Sequence, residues 1–215
     1  MDLFFHHIQD ISDPRFVDAM IIYNDSFPSN ERQPLPVVRS RIEEKKSALY
    51  TGLLNKEVVC MALLWNFKDM EFVLLDYFAV KKEFRNRKIG TAFFRFLSET
   101  VKGFNKYMIM EVEDYLFGGN TEERKKRINF YTGNGAYILN DTPYILPSLD
   151  NTLPTEMLLM ISPEYKNNRM EGEGAGNLIT RLYTELYGKT ENDPLLISIL
   201  EKLPDKITFT NKIIL

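Results

Sequence analysis

The sequence is short of the residues that build covalent or metal-held scaffolds. It has one cysteine, Cys60, so no intrachain disulfide is possible, and its two histidines, His6 and His7, are adjacent. Neighbouring strand residues point to opposite faces, so this pair is a poor start for a metal site, and no metal is expected. No stretch approaches the roughly 20 uninterrupted apolar residues of a spanning helix. The opening Met1-Asp2-Leu3-Phe4-Phe5 lacks a basic region and a long apolar run, so a secretory signal is not expected either. A Gly-Lys-Ser/Thr loop is missing, which argues against P-loop nucleotide chemistry, and Gly133-x-Gly135 lacks the third glycine of a dinucleotide turn. A large excess of one charge is also missing: 27 Lys and Arg stand against 30 Asp and Glu, a net charge of −3. That balance gives no reason to coat nucleic acid or an anionic membrane. A cytoplasmic protein is the expectation that these absences leave.

What is present suits a folded chain. Of 215 residues, 44% are apolar, 27% charged and 13% aromatic, enough for one substantial core or a core with an extension. Residues 3–9 read as a strand. Ser12-Asp13-Pro14 reads as a helix start, with a side-chain acceptor followed by proline at the first helical position. Phe16, Val17, Met20 and Ile21 then give an amphipathic stripe. The segment from Pro28 to Pro36 is a loop, and a second helix follows from about 36 to 48. Three strand-like runs, 50–54, 57–67 and 70–80, are separated by short polar breaks at Asn55-Lys56 and Lys68-Asp69, as in antiparallel hairpins. A helix follows Gly90 through Ala92, Phe93, Phe96 and Leu97 to Gly103, then a strand over 106–113. Asn120 and Glu123 have the spacing of a capping box and open a helix that ends near Gly133 or Gly135. Strands at about 136–145 and 155–161 complete a mixed, mostly antiparallel sheet with helices on both faces, an α/β (α+β) domain over 1–162. Residues 163–215 read as an extension: a glycine-rich linker over 164–177, a helix at 177–187, another that starts at Asp193-Pro194 and ends before Pro204, and a possible strand over 206–214.

One segment carries chemistry. A buried strand ends at Phe78-Ala79-Val80, and five of the next eight residues, Lys81 to Lys88, are basic. Then come Ile89-Gly90-Thr91 and a helix. The first turn of a helix has unbonded N–H groups and partial positive charge, and a glycine there lets a phosphate approach the backbone. A basic run taken alone is a solvated turn. Its position between a buried strand and a glycine-bearing helix start makes it an anion cradle, with Arg85 able to chelate two phosphate oxygens.

Here the chain resembles the GNAT family of N-acetyltransferases. That family's phosphate turn runs Arg/Gln-x-x-Gly-x-Gly/Ala, and Arg85-Asn86-Arg87-Lys88-Ile89-Gly90 matches it at Arg85 and Gly90. Lys88 stands where the family has its first glycine, and a left-handed backbone there carries strain. Phe78-Ala79-Val80 and the stretch from Arg127 through Phe130-Tyr131 to Gly135-Ala136-Tyr137 extend the resemblance, and so does the order of elements, over about residues 1–162.

The resemblance implies acetyl-CoA, or another short acyl-CoA, as co-substrate, and direct attack by an amine on the thioester. The pantetheine would lie in a splay between the fourth and fifth strands, paired with the backbone of Phe78, Ala79 and Val80. The pyrophosphate would sit on Arg85, Asn86, Arg87, Lys88, Ile89, Gly90 and Thr91. Tyr131 is the candidate acid for the leaving thiolate, and Glu113, then Glu111 or Asp76, the candidate base. The early loop with Phe27, Glu31 and Arg32 is the candidate acceptor site, for a small-molecule or peptide amine. Two other readings stand beside this one. The first is a non-catalytic acyl-CoA-binding module. The second is an interaction protein in which residues 164–215 dock a partner or a second copy. Neither nucleic acid nor membrane is an expected partner.

Overall fold

The computed structural model describes residues 2–29, 31–148 and 153–212. The chain divides into two compact units, Met1–Met108 and Ile109–Leu215. Among the described residues the fold is α/β, with six α-helices and a mostly antiparallel open sheet.

In the first unit, strands β1 (Leu3–Ile8), β2 (Ser47–Leu54), β3 (Glu57–Asn66) and β4 (Phe72–Val80) lie side by side in chain order, each antiparallel to the next. Leu54 pairs with Glu57, and the two residues between them, Asn55 and Lys56, both have positive φ (50° and 72°). This is the two-residue turn whose twist matches that of the strands. Helix α1 (Pro14–Ser26) starts as the sequence indicates: Asp13 is the N-cap, its carboxylate accepts from the Arg15 N–H, and Pro14 opens the helix. Its buried face, however, is Phe16, Ala19, Met20, Ile22 and Tyr23. Val17 and Ile21 of the expected stripe are 57% and 50% exposed. The i, i+3, i+4, i+7 face set by Phe16, Ala19, Met20 and Tyr23 wins because it puts both rings against the sheet. Helix α2 (Leu35–Glu43) ends sooner than expected, since Lys45 turns left-handed (φ 59°) and β2 already starts at Ser47, paired with Trp65. Helix α3 (Ile89–Gly103) buries Phe93, Phe94, Leu97 and Val101. Phe93 stacks on Phe5 of β1 at 5.2 Å and on Phe78 of β4 at 5.6 Å. Such aromatic pairs contribute about 0.5–1.5 kcal/mol each beyond area burial, so the start of α3 is anchored at both sides.

The second unit contains most of β5 (Tyr107–Glu113), then α4 (Thr121–Thr132), β6 (Tyr137–Leu139), β7 (Ile145–Leu146) and β8 (Thr155–Ser162). It continues with β9 (Arg169–Glu171), α5 (Gly172–Arg181), a π-helical turn at Leu182–Leu186, α6 (Pro194–Leu200) and β10 (Lys206–Thr210). Its strands run in the order β5-β8-β6-β10-β9, with β7 paired to β8. The expected strand at 136–145 is thus two short strands, separated by a turn in which Asp141 has φ 52°. The expected capping box does not form. Asn120 is the N-cap of α4 but is itself left-handed (φ 58°), without a side-chain cap bond, and Glu123 N–H bonds the Asn120 carbonyl instead. The expected strand over 206–214 is β10 up to Thr210, while 213 and 214 lie outside the described residues.

The glycine-rich stretch is a packing device rather than a linker. Strand β9 and helix α5 occupy 169–181, and β10 pairs with both β9 and β6. The Gly172 N–H bonds the Asp205 carbonyl at 2.7 Å, and a Cβ at Gly172 would lie 2.2 Å from the Pro204 carbonyl oxygen. Gly172 is therefore fixed by close backbone approach. Gly172→Ala should destabilise the protein by roughly 1–3 kcal/mol, the range for overpacking a tight site. Urea unfolding checks this, and an unchanged midpoint would return 172–176 to a linker role.

Candidate functional site

In the first unit the site is built from the end of β4 onward. The β3–β4 register places Leu63 opposite Tyr77 and Leu64 opposite Leu75, which leaves Asp76 as the extra residue of a bulge. Past the bulge, Phe78, Ala79 and Val80 pair with Ala62, Met61 and Cys60 of β3. A short 3-10 turn, Lys82–Phe84, follows, and then Asn86 and Lys88 both take positive φ (61° each). Lys88 (φ 61°, ψ 8°) is the N-cap of α3 and gives no side-chain cap. The first bond of that helix runs from the Ala92 N–H to the Lys88 carbonyl at 3.0 Å. The N–H groups of Ile89, Gly90 and Thr91 precede it. No acidic residue occupies the first turn, while Lys82, Arg85, Arg87 and Lys88 are exposed around it.

Each basic side chain has its own position. Arg85 Nε donates to the Val80 carbonyl at 3.1 Å, which ties the turn back to the strand that leads into it. Arg87 lies over the Phe84 ring at 5.3 Å. Lys81 pairs with Glu57 at 2.7 Å and so is partly committed to β3. The result is a helix start whose first backbone N–H groups are rimmed by exposed basic side chains, an arrangement that suits a phosphate or pyrophosphate. Lys88 adopts the left-handed conformation that a glycine would take freely.

The early loop is tied down by tyrosines that the sequence did not single out. Tyr77 on β4 donates to the Glu31 carbonyl (3.3 Å) and accepts from the Gln33 N–H (3.2 Å), and Tyr23 on α1 donates to the Gln33 carbonyl (3.1 Å). Phe27 packs edge-on against Tyr77 at 4.9 Å. Burial raises the Tyr77 phenol well above its ordinary range, with the charge of Asp76 adding to the effect. Arg32 is engaged in holding the loop: its guanidinium donates to the carbonyls of Asn24 (2.5 Å) and Phe27 (3.2 Å). The Glu31 side chain is exposed, and Asn30 lies outside the described residues. Asp76 sits 3.7 Å from Arg41, whose guanidinium also covers Trp65 at 5.0 Å.

In the second unit the two carboxylates of β5 have opposite surroundings. Glu113 bonds Arg124 (2.9 Å) and Arg127 (3.0 Å), one with each oxygen. Arg124, Arg127 and Tyr131 stand at i, i+3 and i+7 on α4, so this clamp orients the face that carries Tyr131. Arg124 also donates to the carbonyls of Asp114 and Phe117, fixing the loop before the helix. Desolvation pushes the Tyr131 phenol up to about 12, with Arg127 acting in the opposite sense. Glu111, two residues before Glu113, accepts from the hydroxyls of Tyr144 and Tyr187. Its carboxyl is raised by burial, against which the two phenol hydrogen bonds act. The sequence reading missed Tyr144 and Tyr187, which belong to no periodic pattern with Glu111.

Among the described residues no group of three or more His, Cys, Asp or Glu side chains is arranged to hold a metal ion, and no helix is long and apolar enough to cross a membrane.

The described architecture is that of the GNAT acetyltransferases. A protein from Bacteroides thetaiotaomicron assigned to that family superposes with a TM-score of 0.71 at 21% identity, over 87% of this chain and 99% of its own. An aminoglycoside 6'-N-acetyltransferase solved with coenzyme A gives a TM-score of 0.57 at 14% identity, over 74% of this chain and 96% of its own. A protein from Salmonella typhimurium assigned as an acetyltransferase, solved with acetyl-CoA, gives 0.56 at 12% identity, over 78% and 96%. No family model matches the sequence, and no curated protein matches it. The likeness is therefore one of fold.

The Lys88 turn has a thermodynamic signature. A left-handed non-glycine residue costs about 1–2 kcal/mol, while glycine loses about 0.5–1 kcal/mol more backbone entropy on folding. Lys88→Gly should therefore stabilise the protein by about 0.5–1 kcal/mol in urea unfolding. A lowered midpoint would mean that the turn is not strained.

Proposed function

We propose that this chain is an acyl-CoA-dependent N-acyltransferase that moves an acetyl or other short acyl group to the amine of a small molecule or peptide. The observation that carries the reading is the turn from Arg85 to Thr91, where strand β4 delivers a left-handed N-cap and an exposed basic rim to the head of α3. That arrangement fits the pyrophosphate of coenzyme A, which Ile89, Gly90 and Thr91 would hold by backbone N–H groups and Arg85, Arg87 and Lys88 by charge. Phe78, Ala79 and Val80 are assigned to the pantetheine arm. Acyl-CoA supplies a thioester carbonyl open to attack by a neutral amine.

The protein's own groups then manage protons. Tyr131 is assigned to protonate the departing thiolate; a phenol pushed up to about 12 keeps its proton at neutral pH. Asp76, on the bulge of the strand that leads into the cradle, is assigned to take the amine's proton, directly or through water. Glu113 is assigned to positioning, since both its oxygens engage the α4 guanidiniums. Phe27 and Glu31 remain the assigned acceptor contacts from the early loop, with Arg32 in support. A cytoplasmic location is in keeping with the one cysteine, Cys60, whose thiol is buried and pushed up to about 12.

Thiol release from acetyl-CoA with a panel of primary amines tests the reading. Tyr131→Phe should slow turnover by roughly 10²–10⁴-fold, the range for loss of a general acid, with coenzyme A binding retained. If coenzyme A raises the melting temperature but no amine gives turnover, the non-catalytic acyl-CoA-binding module is the better reading.

A further inference from the structure

Glu111 lacks what its neighbour Glu113 has. Among the described residues no Lys, Arg or His side chain forms an ion pair with it, whereas Glu113 has two. A carboxylate withdrawn from water without a countercharge is costly, and burial does raise this carboxyl. Its partners are neutral phenols: Tyr144 donates to one oxygen, and Tyr187 to the other at 2.5 Å. Two donors leave lone pairs on both oxygens.

The tyrosines form a structured surround. Tyr183 meets the Tyr144 ring edge-on (6.3 Å, 80°) and the Tyr187 ring edge-on (6.5 Å, 90°). The Tyr183 hydroxyl is fixed on the Ile145 carbonyl. Tyr183 lies within the π-helical turn Leu182–Leu186 and Tyr187 directly after it. Inserted turns of this kind re-aim side chains and occur often at functional sites. Glu111 and Tyr187 are both half-buried rather than fully buried. A desolvated carboxylate without a cation, edged by aromatic rings, is complementary to one ligand class, a primary alkylammonium, through charge, hydrogen bonds and cation–π attraction.

We infer that Glu111, with Tyr144 and Tyr187, binds the ammonium group of a cationic amine ligand, the positively charged end of an acceptor. Its identification with the acceptor rests on the acyltransfer reading; ammonium binding does not. A diamine is the simplest acceptor of this kind, with one nitrogen held as ammonium and the other free to react.

Calorimetric titration at neutral pH of 1,4-diaminobutane, butylamine and the uncharged butanol into the full chain tests this. The wild type should bind the amines and not the alcohol. Glu111→Gln should lose about tenfold or more in amine affinity, as expected when one partner of a desolvated charge pair is removed. Tyr187→Phe keeps the charge and should lose less. Without ligand, the raised carboxyl makes the wild type lose stability relative to Glu111→Gln as pH climbs above the ordinary carboxylate range, because ionisation opposes folding there. That comparison also verifies that the variant folds. Equal amine affinity in wild type and Glu111→Gln, or no binding of either amine by the wild type, overturns the inference. Amine binding through Glu111 without thiol release from acetyl-CoA would sustain it while removing the acyltransfer reading.

Discussion

The head of helix α3 is the constraint on which the candidate site depends. A helix that begins directly after a turn leaves its first N–H groups without intrahelical acceptors, and something has to meet them. Here no capping side chain or acidic residue does so. The turn itself is held by several independent ties: the Arg85 bond to the Val80 carbonyl, the left-handed backbone at Asn86 and Lys88, and the Phe5–Phe93–Phe78 stack behind it. Strain at Lys88 persists because these ties over-determine it. Strained residues of this kind concentrate where a backbone must present itself to a ligand.

The carboxylates show how environment divides the work among chemically equal groups. Glu113 is clamped by two arginines and sets the helix that carries Tyr131. Glu111, on the same strand, has only phenols. Asp76 stands at a bulge near Arg41 in the other unit. Sequence offers all three as candidates for a base, Glu113 ahead of Glu111 or Asp76. Their partners differ, and partners determine whether a carboxylate orients a helix, attracts a cation or accepts a proton.

Features with local causes were legible in the sequence. The Asp13-Pro14 helix start, the Asn55-Lys56 hairpin and the strand–turn–helix around Arg85 to Gly90 each rest on residues close together in the chain. Features with distant causes were not. Tyr23 and Tyr77 reach the early loop from α1 and β4, and Tyr144 and Tyr187 reach Glu111 from 33 and 76 residues away. The glycines at 172–176 looked like a linker because composition does not reveal the Pro204 carbonyl against which Gly172 packs. Asn120 and Glu123 had the spacing of a capping box, but a left-handed Asn120 redirects its side chain. The tyrosine hydroxyls and glycine contacts are tertiary facts, which periodicity and capping rules do not encode.

The central claim is that the N–H groups at the start of α3 receive the pyrophosphate of coenzyme A. Titrating coenzyme A into isotope-labelled protein while following backbone amide resonances tests it most directly. The account predicts saturable shifts of the Ile89, Gly90 and Thr91 amides, with pantetheine, which lacks the pyrophosphate, leaving them in place. Coenzyme A binding that leaves these three amides unmoved, or the absence of binding altogether, would contradict it.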